Sequence, residues 1–579
     1  MKLLKKLSWF FKLEKWPYIT GILALSLVSL LNLLPPRVIG EVIDQIASKD
    51  LTNLELAYQL FILVLSALAM YALRFVWRKY ILGTANRLGR ILRYRLFEHF
   101  TRMSPSFYQT YRTGDLMAHA TNDINAVVGV AGGGVMSAVD ASITALVTVL
   151  TMFFVLDWRL TLIAILPLPF MAWGTSLIGR KNHESFKAAQ EAFSDLNNKV
   201  QESVSGIKVT KSFGYQDAET VAFARINQDV FKKNILAAKY NALFDPMVLI
   251  FVGVSYLLTL IFGGLFINQG QLTVGELVSF ITYLDMLVWP LQAMGYLFNI
   301  SQRGAVSYER IESLLAEESN MTEVASPIKN IKNGRLDYSI QKFAYDDRPT
   351  LRDIRFSIEQ GQTLGIVGVT GSGKTTLLRL LLREQDIQDG NICLAGHDIR
   401  DYSLSALRSL IGYVPQDQIL FATSIRDNIR FGNPSLSDEE VIAVTKLCGI
   451  YEDIMQMPDG FDTLVGERGV SLSGGQKQRL AMCRALILNP EILILDDSLS
   501  AVDAKTEHLI LDNLKRERSG KTTLITAHRL SAVVHADLIL VLDQGRIIES
   551  GSHQELLTQD GWYANTYQNQ QLAESLEEV

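Results

Sequence analysis

Cysteine is scarce in this sequence: the 579 residues include three, at Cys393, Cys448 and Cys483, all in the second half. Their spacing fits neither a zinc site nor a disulfide framework, so we expect reduced thiols in the cytosol. The formal net charge of −5 is small for this length, and the basic excess typical of nucleic-acid-binding proteins is missing. These absences argue against a secreted disulfide scaffold and give no sign of a nucleic-acid partner.

Long apolar runs, in contrast, are plentiful but unevenly placed. Apolar residues make up 48 % of the chain and concentrate in its first half, whereas the second half resembles a soluble α/β domain. A chain of this length is too long for one hydrophobic core, which predicts at least two domains. We therefore expect a membrane domain over residues 1–316, a polar linker over 317–334 and a soluble domain over 335–579.

The first half contains about six segments long enough to cross a membrane, since a helical span needs ~20 mostly apolar residues. Hydropathy places the spans near residues 18–40, 57–82, 130–156, 158–178, 243–267 and 276–299. An even number of spans puts both termini on the same side of the membrane.

The charge of the connecting segments predicts which side this is. The connections at 44–55, 157–159 and 268–276 carry few basic residues, whereas the other two are long and basic. Basic connections remain in the cytosol. We therefore expect a multi-pass protein of the cytoplasmic membrane, with both termini and the soluble domain in the cytosol.

The N-terminus begins with Lys2, Lys5 and Lys6 ahead of an apolar stretch, as in a signal peptide. No small-residue cleavage site follows, so we expect a retained first span. The segment Leu3–Phe11 alternates basic and bulky apolar residues. Two interpretations stay open: an amphipathic helix in the membrane interface, or a simple basic flank.

Each long basic connection contains a glycine-marked break, at residues 107–116 and 202–215. The breaks predict either short transverse helices that press on the soluble domain or plain turns, and the residues alone do not decide between them.

A phosphate-binding loop follows the pattern G-x-x-x-x-G-K-[ST]. The apolar strand 363–367 leads into it and a helical run leaves it, which is the context that the pattern requires. Glycines let backbone N–H groups close on phosphates at a helix N-terminus, while the lysine neutralises the phosphates and the final hydroxyl binds Mg²⁺. The predicted ATP-binding residues are Gly368, Val369, Thr370, Gly371, Ser372, Gly373, Lys374, Thr375 and Thr376.

An apolar run over residues 491–496 is typical of a strand buried on both faces. It ends in Asp496, a carboxylate well placed to hold Mg²⁺ directly or through water.

A Ser-Gly-Gly segment about one hundred residues after the phosphate loop precedes a helical run and predicts a second phosphate-facing helix N-terminus. Its residues are Leu472, Ser473, Gly474, Gly475 and Gln476. This segment resembles the signature of ABC ATPases. With six spans ahead of it, nearly the whole chain resembles bacterial ABC exporters of the multidrug and lipid-A type, most closely the first subunit of heterodimeric multidrug-resistance-like exporters. The resemblance implies an α-helical membrane domain fused to an α/β ATP-binding cassette, ATP and Mg²⁺ as ligands, a second half-transporter as partner, and the bacterial inner membrane.

The resemblance also assigns roles to further residues. It implies that Tyr345 stacks on adenine, that Gln416 senses Mg²⁺ and the attacking water, and that His528 contacts the γ-phosphate. The loop that crosses the dimer interface would include Ser500 and Asp503. The segment 463–469 resembles an exporter loop that meets the transverse helices.

One position departs from the family pattern. The family places its catalytic base, a glutamate, directly after the strand aspartate, where this chain has Asp497. The aspartate side chain is one methylene shorter, and a misplacement of ~1 Å can cost about 10²-fold in rate. We expect impaired hydrolysis at this site and a partner that carries the glutamate. The alternative is that the backbone adjusts and Asp497 still works as the base.

The prediction of the cargo depends on weaker sequence signals. Asp140, Asp245 and Asp285 lie within or beside the spans, where ionisable groups face a cavity or a partner. Such groups suit amphipathic cations, with Asp140 and Asp285 as cavity candidates, or they pair with Arg74, Arg78 or the backbone of another span. We expect a multidrug-type exporter. The alternatives are a lipid flippase and an ATP-binding regulatory or sensor subunit.

Overall fold

The computed structural model describes residues 2–321, 323–331, 333–345, 348–466 and 472–577. The chain forms two compact units. The first unit comprises Met1–Thr101 with Thr113–Glu317, and the second comprises Arg102–Arg112 with Glu318–Val579.

The first unit is helical. In the described part of the chain, six helices are long and apolar enough to cross a membrane, as predicted. They are Lys15–Ser48, Asn53–Arg102, Thr113–Leu156, Trp158–Ser205, Gln216–Asn268 and Val274–Ala316. The α-helices up to residue 316, of which α7 and α13 lie between the six long helices, are α1 (Lys2–Lys6), α2 (Ser8–Leu13), α3 (Lys15–Leu31), α4 (Leu34–Ser48), α5 (Asn53–Trp77), α6 (Gly83–Arg102), α7 (Pro105–Thr110), α8 (Thr113–Ala118), α9 (Ile124–Gly129), α10 (Val135–Thr151), α11 (Trp158–Ile165), α12 (Pro167–Ser205), α13 (Ile207–Ser212), α14 (Gln216–Ala242), α15 (Phe244–Asn268), α16 (Val274–Met286) and α17 (Val288–Ala316).

These six helices are longer than a bilayer requires. They contain 34 to 53 residues, or about 50 to 80 Å at ~1.5 Å per residue, against a hydrocarbon core of about 30 Å. Each helix contains one of the predicted apolar segments and continues beyond it.

Local sequence explains where several helices begin. Asp157 starts α11 by accepting hydrogen bonds from the backbone N–H groups of Arg159 and Leu160, at 2.8 and 2.9 Å. Thr52 with Glu55 and Thr273 with Glu276 form reciprocal capping boxes at the starts of α5 and α16. These caps satisfy backbone donors that have no intrahelical partner.

Glycines bring α4 and α16 close together. A side chain on Gly40 would lie 2.5 Å from the carbonyl oxygen of Gly275, and one on Gly275 would overlap the carbonyl of Gly40. Asp44 joins the same contact by accepting the backbone N–H of Gly275 at 2.7 Å and the Thr273 hydroxyl at 2.6 Å. Small residues permit this backbone approach between helices in a membrane.

The cassette contains two sheets. The four-stranded antiparallel sheet has the order β2-β1-β4-β5, and the six-stranded sheet has the order β10-β9-β3-β8-β7-β6, with only β10 antiparallel to its neighbour. The strands are β1 (Leu336–Tyr345), β2 (Arg348–Ile358), β3 (Thr363–Gly368), β4 (Asp389–Leu394), β5 (His397–Asp398), β6 (Ile411–Val414), β7 (Ile492–Asp496), β8 (Thr522–Thr526), β9 (Leu538–Asp543) and β10 (Arg546–Gly551). The helices are α18 (Lys374–Leu381), α19 (Leu404–Ser409), α20 (Ile425–Ile429), α21 (Asp438–Leu447), α22 (Tyr451–Met455), α23 (Gly474–Leu486), α24 (Ala504–Glu517), α25 (His553–Thr558) and α26 (Trp562–Glu577).

The parallel strands of the six-stranded sheet are buried, which explains why their sequences are continuous apolar runs. All five residues of β7 and all five of β8 are buried, and apolar clusters cover both faces of the sheet. Covered parallel strands must be apolar along their length. The polar residues at the ends of β3, β7 and β8 therefore lie along one edge of the sheet.

Both glycine-marked breaks form short helices rather than plain turns. The first is α7, whose segment Arg102–Arg112 groups with the cassette. Pro105 and Gln109 line a small cavity there together with Tyr345 and Arg379. The second is α13, in which Val209 is exposed, as is Phe213 directly after it.

Candidate nucleotide-binding site

The loop after β3 has a backbone that only glycine adopts easily. Gly368, Gly371 and Gly373 have φ values of 142°, 84° and 104°, where side chains are strained. A side chain on Gly373 would lie 2.7 Å from Cδ2 of Leu351, and one on Gly368 would overlap the carbonyl of Leu542. The loop therefore closes tightly ahead of α18, as a phosphate cradle requires.

Lys374, the first residue of α18, directs its ammonium group back toward this loop. Its Nζ donates to the carbonyls of Gly368 and Val369 at 2.8 and 3.0 Å. Burial lowers the pKa of Lys374, and the neighbouring carboxylates Asp497 and Asp496 act in the opposite direction. A partly buried ammonium group held at the glycine-rich loop is suited to neutralise a phosphate.

Asp496 is almost fully buried at the end of β7 and accepts three hydroxyl groups. Thr375 and Thr526 donate to its Oδ1 at 2.9 and 2.8 Å, and the Tyr413 phenol donates to Oδ2 at 3.3 Å. A carboxylate adjoining the Thr375 hydroxyl is the oxygen donor set that Mg²⁺ prefers beside nucleotide phosphates. These two residues fit that ion, which would neutralise charge on the phosphates when bound.

Asp497, the next residue, has a left-handed backbone with φ of 47°. Its backbone N–H donates to Thr526, at 3.1 Å to the carbonyl and 3.0 Å to the hydroxyl. The Gln416 amide donates to its carboxylate at 3.3 Å. Burial raises the pKa of Asp497, and the nearby charge of His528 has the opposite effect. Asp497 and His528 also line one small cavity, so the two other predicted catalytic residues both lie near Asp497.

The signature segment begins α23 with a complete capping box. Ser473 accepts the backbone N–H of Gln476 at 3.2 Å, and the Gln476 side chain accepts the N–H of Ser473 at 3.0 Å. Inside this helix, Gln478 contacts both the Ser500 hydroxyl and the N–H of Ala501. This pair ties the signature helix to the loop after β7.

The structure does not bring every predicted residue into one site. Among the described residues, no hydrogen bond or ion pair joins 368–376 to 472–476. Asp503 caps α24 by accepting the N–H of Thr506 at 3.0 Å, and Tyr345 packs edge-on against Phe343. Of the exporter loop at 463–469, residues 467–469 lie outside the described residues.

Sequence reasoning missed two side chains that position Asp496, namely Tyr413 and Thr526. Both follow from strand order: β6 and β8 flank β7 in the sheet, and Asp496 pairs in register with Thr526. A search for polar residues at the ends of neighbouring parallel strands would have found them.

In the membrane unit, Asp140 and Asp285 both pair with aromatic side chains. The Trp289 indole donates to Asp140 at 3.2 Å, and the Tyr256 phenol donates to Asp285 at 2.8 Å. Among the described ion pairs, neither carboxylate joins Arg74 or Arg78. The third candidate, Asp245, is exposed at the start of α15.

Two family models match this chain. One, described as the ABC transporter transmembrane region, matches residues 18–291, and the other, described as ABC transporter, matches residues 351–500. A relative from Bacillus subtilis (strain 168), the probable multidrug resistance ABC transporter ATP-binding/permease protein YheI, is 44 % identical over 98 % of both chains. The chain belongs to the ABC exporter family. The predicted family and fold are thereby confirmed, and the chain is a multi-pass membrane protein with an ATP-hydrolysing cassette.

Further comparisons show the range of the family. The multidrug resistance-like ATP-binding protein MdlA of Escherichia coli (strain K12) is 41 % identical over 100 % of this chain and 98 % of its own length. An ATP-dependent lipid A-core flippase of Syntrophus aciditrophicus (strain SB) is 35 % identical over 84 % of this chain and 80 % of its own. A solved bacterial Atm1-family ABC exporter with ATP bound has a TM-score of 0.81 at 28 % identity, over 96 % of this chain and 99 % of that one.

Proposed function

We propose that this chain exports amphipathic compounds, including cations, as one subunit of a heterodimeric exporter in the bacterial inner membrane, with its termini and cassette in the cytosol. In this proposal its own ATP site binds nucleotide and hydrolyses it slowly. Asp497 carries the proposal, because it lies within hydrogen-bond distance of Gln416 and lines one cavity with His528, at the position where the family has a longer carboxylate.

The length of the Asp497 side chain supports slow hydrolysis. A general base must come within hydrogen-bond reach of the water that it activates. Aspartate is shorter than glutamate by one C–C bond of ~1.5 Å. The raised pKa of Asp497 strengthens the carboxylate as a base but does not extend its reach. Geometry therefore limits the rate at this site.

The intact signature supports a partner. The phosphate loop and the signature share no hydrogen bond or ion pair within the described chain, so each needs a second cassette to form a closed ATP site. With Ser473 and Gln476 held in a capping box, this chain would complete a competent site on a partner that carries a glutamate. Two copies of this chain would instead form two slow sites.

The polar stripe on α16 and α17 supports an amphipathic cargo. Asp285, Trp289, Gln292 and Tyr296 recur at intervals of four, three and four residues, which places them on one helical face, and all four are exposed. Such groups are costly against lipid, so the face belongs toward a water-filled cavity. Carboxylates next to aromatic rings suit hydrophobic cations, since both attract positive charge.

Two alternatives keep some support. A lipid flippase would use the same machine, and one relative carries that name. A regulatory subunit that binds ATP without transport would be consistent with Asp497. The intact signature argues against it, because a subunit that takes no part in hydrolysis would not need this segment.

The decisive experiment compares ATP hydrolysis by the purified wild-type chain and by Asp497→Glu. We expect the variant to hydrolyse ATP about 100-fold faster, because the longer carboxylate restores the position of the base. Asp497→Asn is the matched control, with the same size but no basic oxygen, and should remain slow. Fast, drug-stimulated hydrolysis by the wild-type chain alone would sink the heterodimer proposal.

A further inference from the structure

The N-terminal segment has one face buried in the protein. Leu3, Leu7 and Phe10, spaced along α1 and α2, are fully buried or nearly so. Lys6 binds Glu312 of α17 at 2.6 Å, and the guanidinium of Arg95 lies 4.4 Å from the centre of the Trp9 ring. The segment is therefore fixed to the helical unit and is not a loose basic flank.

The opposite face is open and forms a groove of about 420 Å³. Its lining comprises Leu4, Ser8, Phe11, Lys12 and Lys15, which lie three or four residues apart on one side of the segment. The groove combines two apolar side chains, one hydroxyl and two ammonium groups, and no acidic residue lines it.

The charge of this groove is uncompensated. Lys12 and Lys15 are exposed, and neither has an ion pair in the described part of the chain. The nearest acid in sequence, Glu14, is bound to Arg87 at 3.2 Å. The two lysines therefore present a net positive charge beside apolar surface.

An exposed apolar stripe continues from the groove along the first span. Trp16, Ile19, Leu23 and Leu27 recur every three or four residues and are between 44 % and 68 % exposed. Lys15 Nζ lies 5.7 Å from the centre of the Trp16 ring. Tryptophan and lysine together at the start of a span are typical of the level of lipid head groups. The stripe beyond them runs into the hydrocarbon layer.

We propose that this groove binds an anionic phospholipid of the cytosolic leaflet. The phosphate lies between Lys12 and Lys15, Ser8 donates a hydrogen bond, and one acyl chain follows the stripe from Trp16 to Leu27. Because α1 also binds α17, the bound lipid ties the N-terminal segment to the helix that precedes the cassette in the sequence. This site lies outside the proposed cargo cavity and does not depend on the heterodimer.

The test is native mass spectrometry of the full-length chain, titrated with phosphatidylglycerol or phosphatidylcholine. We expect one phosphatidylglycerol to be retained in preference to phosphatidylcholine. Lys12→Gln with Lys15→Gln should weaken its binding about 30-fold, because each surface lysine contributes about fivefold. Lys12→Arg with Lys15→Arg should retain it.

Two controls make the test decisive. Lys232→Gln with Lys515→Gln removes the same charge from exposed positions elsewhere and should leave lipid binding unchanged. Glycerol phosphate should not compete at concentrations where phosphatidylglycerol saturates, since it lacks the acyl chains. Equal binding of both lipids to the wild type, equal loss in the control variant, or full competition by glycerol phosphate would each overturn the proposal.

Discussion

The nucleotide site and the acidic pairs in the membrane unit are built in opposite ways. Four side chains, Thr375, Thr526, Tyr413 and Gln416, donate hydrogen bonds to the carboxylates of Asp496 and Asp497 at the edge of the parallel sheet. Asp140 and Asp285 each meet one aromatic donor, and Asp285 remains exposed. The first arrangement fixes one ligand geometry, whereas the second leaves room for ligands of different shape.

This difference matches the function proposed for each region. Phosphoryl transfer depends on the positions of the reacting groups, and a misplacement of ~1 Å can lower the rate about 100-fold. Export of varied amphipathic compounds requires a surface that attracts a class of ligand without specifying its outline. Substitutions should therefore have large effects in the cassette and smaller, ligand-dependent effects in the membrane unit.

The largest effect should follow Lys374→Ala. Removing the ammonium group leaves the phosphates without their charged partner, so binding of a fluorescent ATP analogue to the purified chain should weaken about 100-fold. Lys515→Ala, an exposed lysine of the same cassette, should bind normally. Unchanged affinity in Lys374→Ala would mean that the nucleotide binds elsewhere and that the loop after β3 is not the nucleotide site.

A smaller, selective effect should follow Asp285→Asn. In vesicles that carry the assembled exporter, uptake of a cationic dye should fall about tenfold, since one charged contact is lost. Uptake of a neutral analogue should not change. Asp245→Asn is the matched control, because that carboxylate is exposed at the start of α15. An equal fall for both dyes would instead indicate a structural role for the bond between Asp285 and Tyr256.

Ser473→Ala should affect the partner's site rather than this chain's own. Losing the N-cap of α23 should cost about 1 kcal/mol, which corresponds to about fivefold less ATP hydrolysis by the assembled exporter. Nucleotide binding to this chain alone should be unchanged. Ser437→Ala removes a capping box of the same kind from α21, and it should lower thermal stability without affecting hydrolysis.

The smallest effect should follow Tyr413→Phe. It removes the longest of the three hydrogen bonds to Asp496, at 3.3 Å, so we expect about threefold weaker Mg²⁺-dependent ATP binding. Thr526→Val removes a shorter bond at 2.8 Å and should have the larger effect. If Tyr413→Phe were the more severe of the two, hydrogen-bond length would not rank the contributions to this site.

The sequence predicted the parts of the fold that depend on local composition. Apolar segments long enough to cross a bilayer gave the six spans, and the glycine and lysine spacing gave the loop between β3 and α18. It could not decide whether residues 107–116 form a turn or a helix, because a six-residue helix is too short to have a clear periodic pattern. Packing against the cassette groups that segment with the second unit.

The chain by itself therefore determined its family, its ATP-binding loop and the departure at Asp497, because each depends on residue type and spacing along one segment. Only the tertiary structure decided which side chains meet across segments. Tyr413 and Thr526 reach Asp496 because parallel strands end at the same sheet edge. Asp285 finds Tyr256 rather than an arginine because α15 and α16 pack together. Partners far apart in sequence are chosen by packing, which no local pattern records.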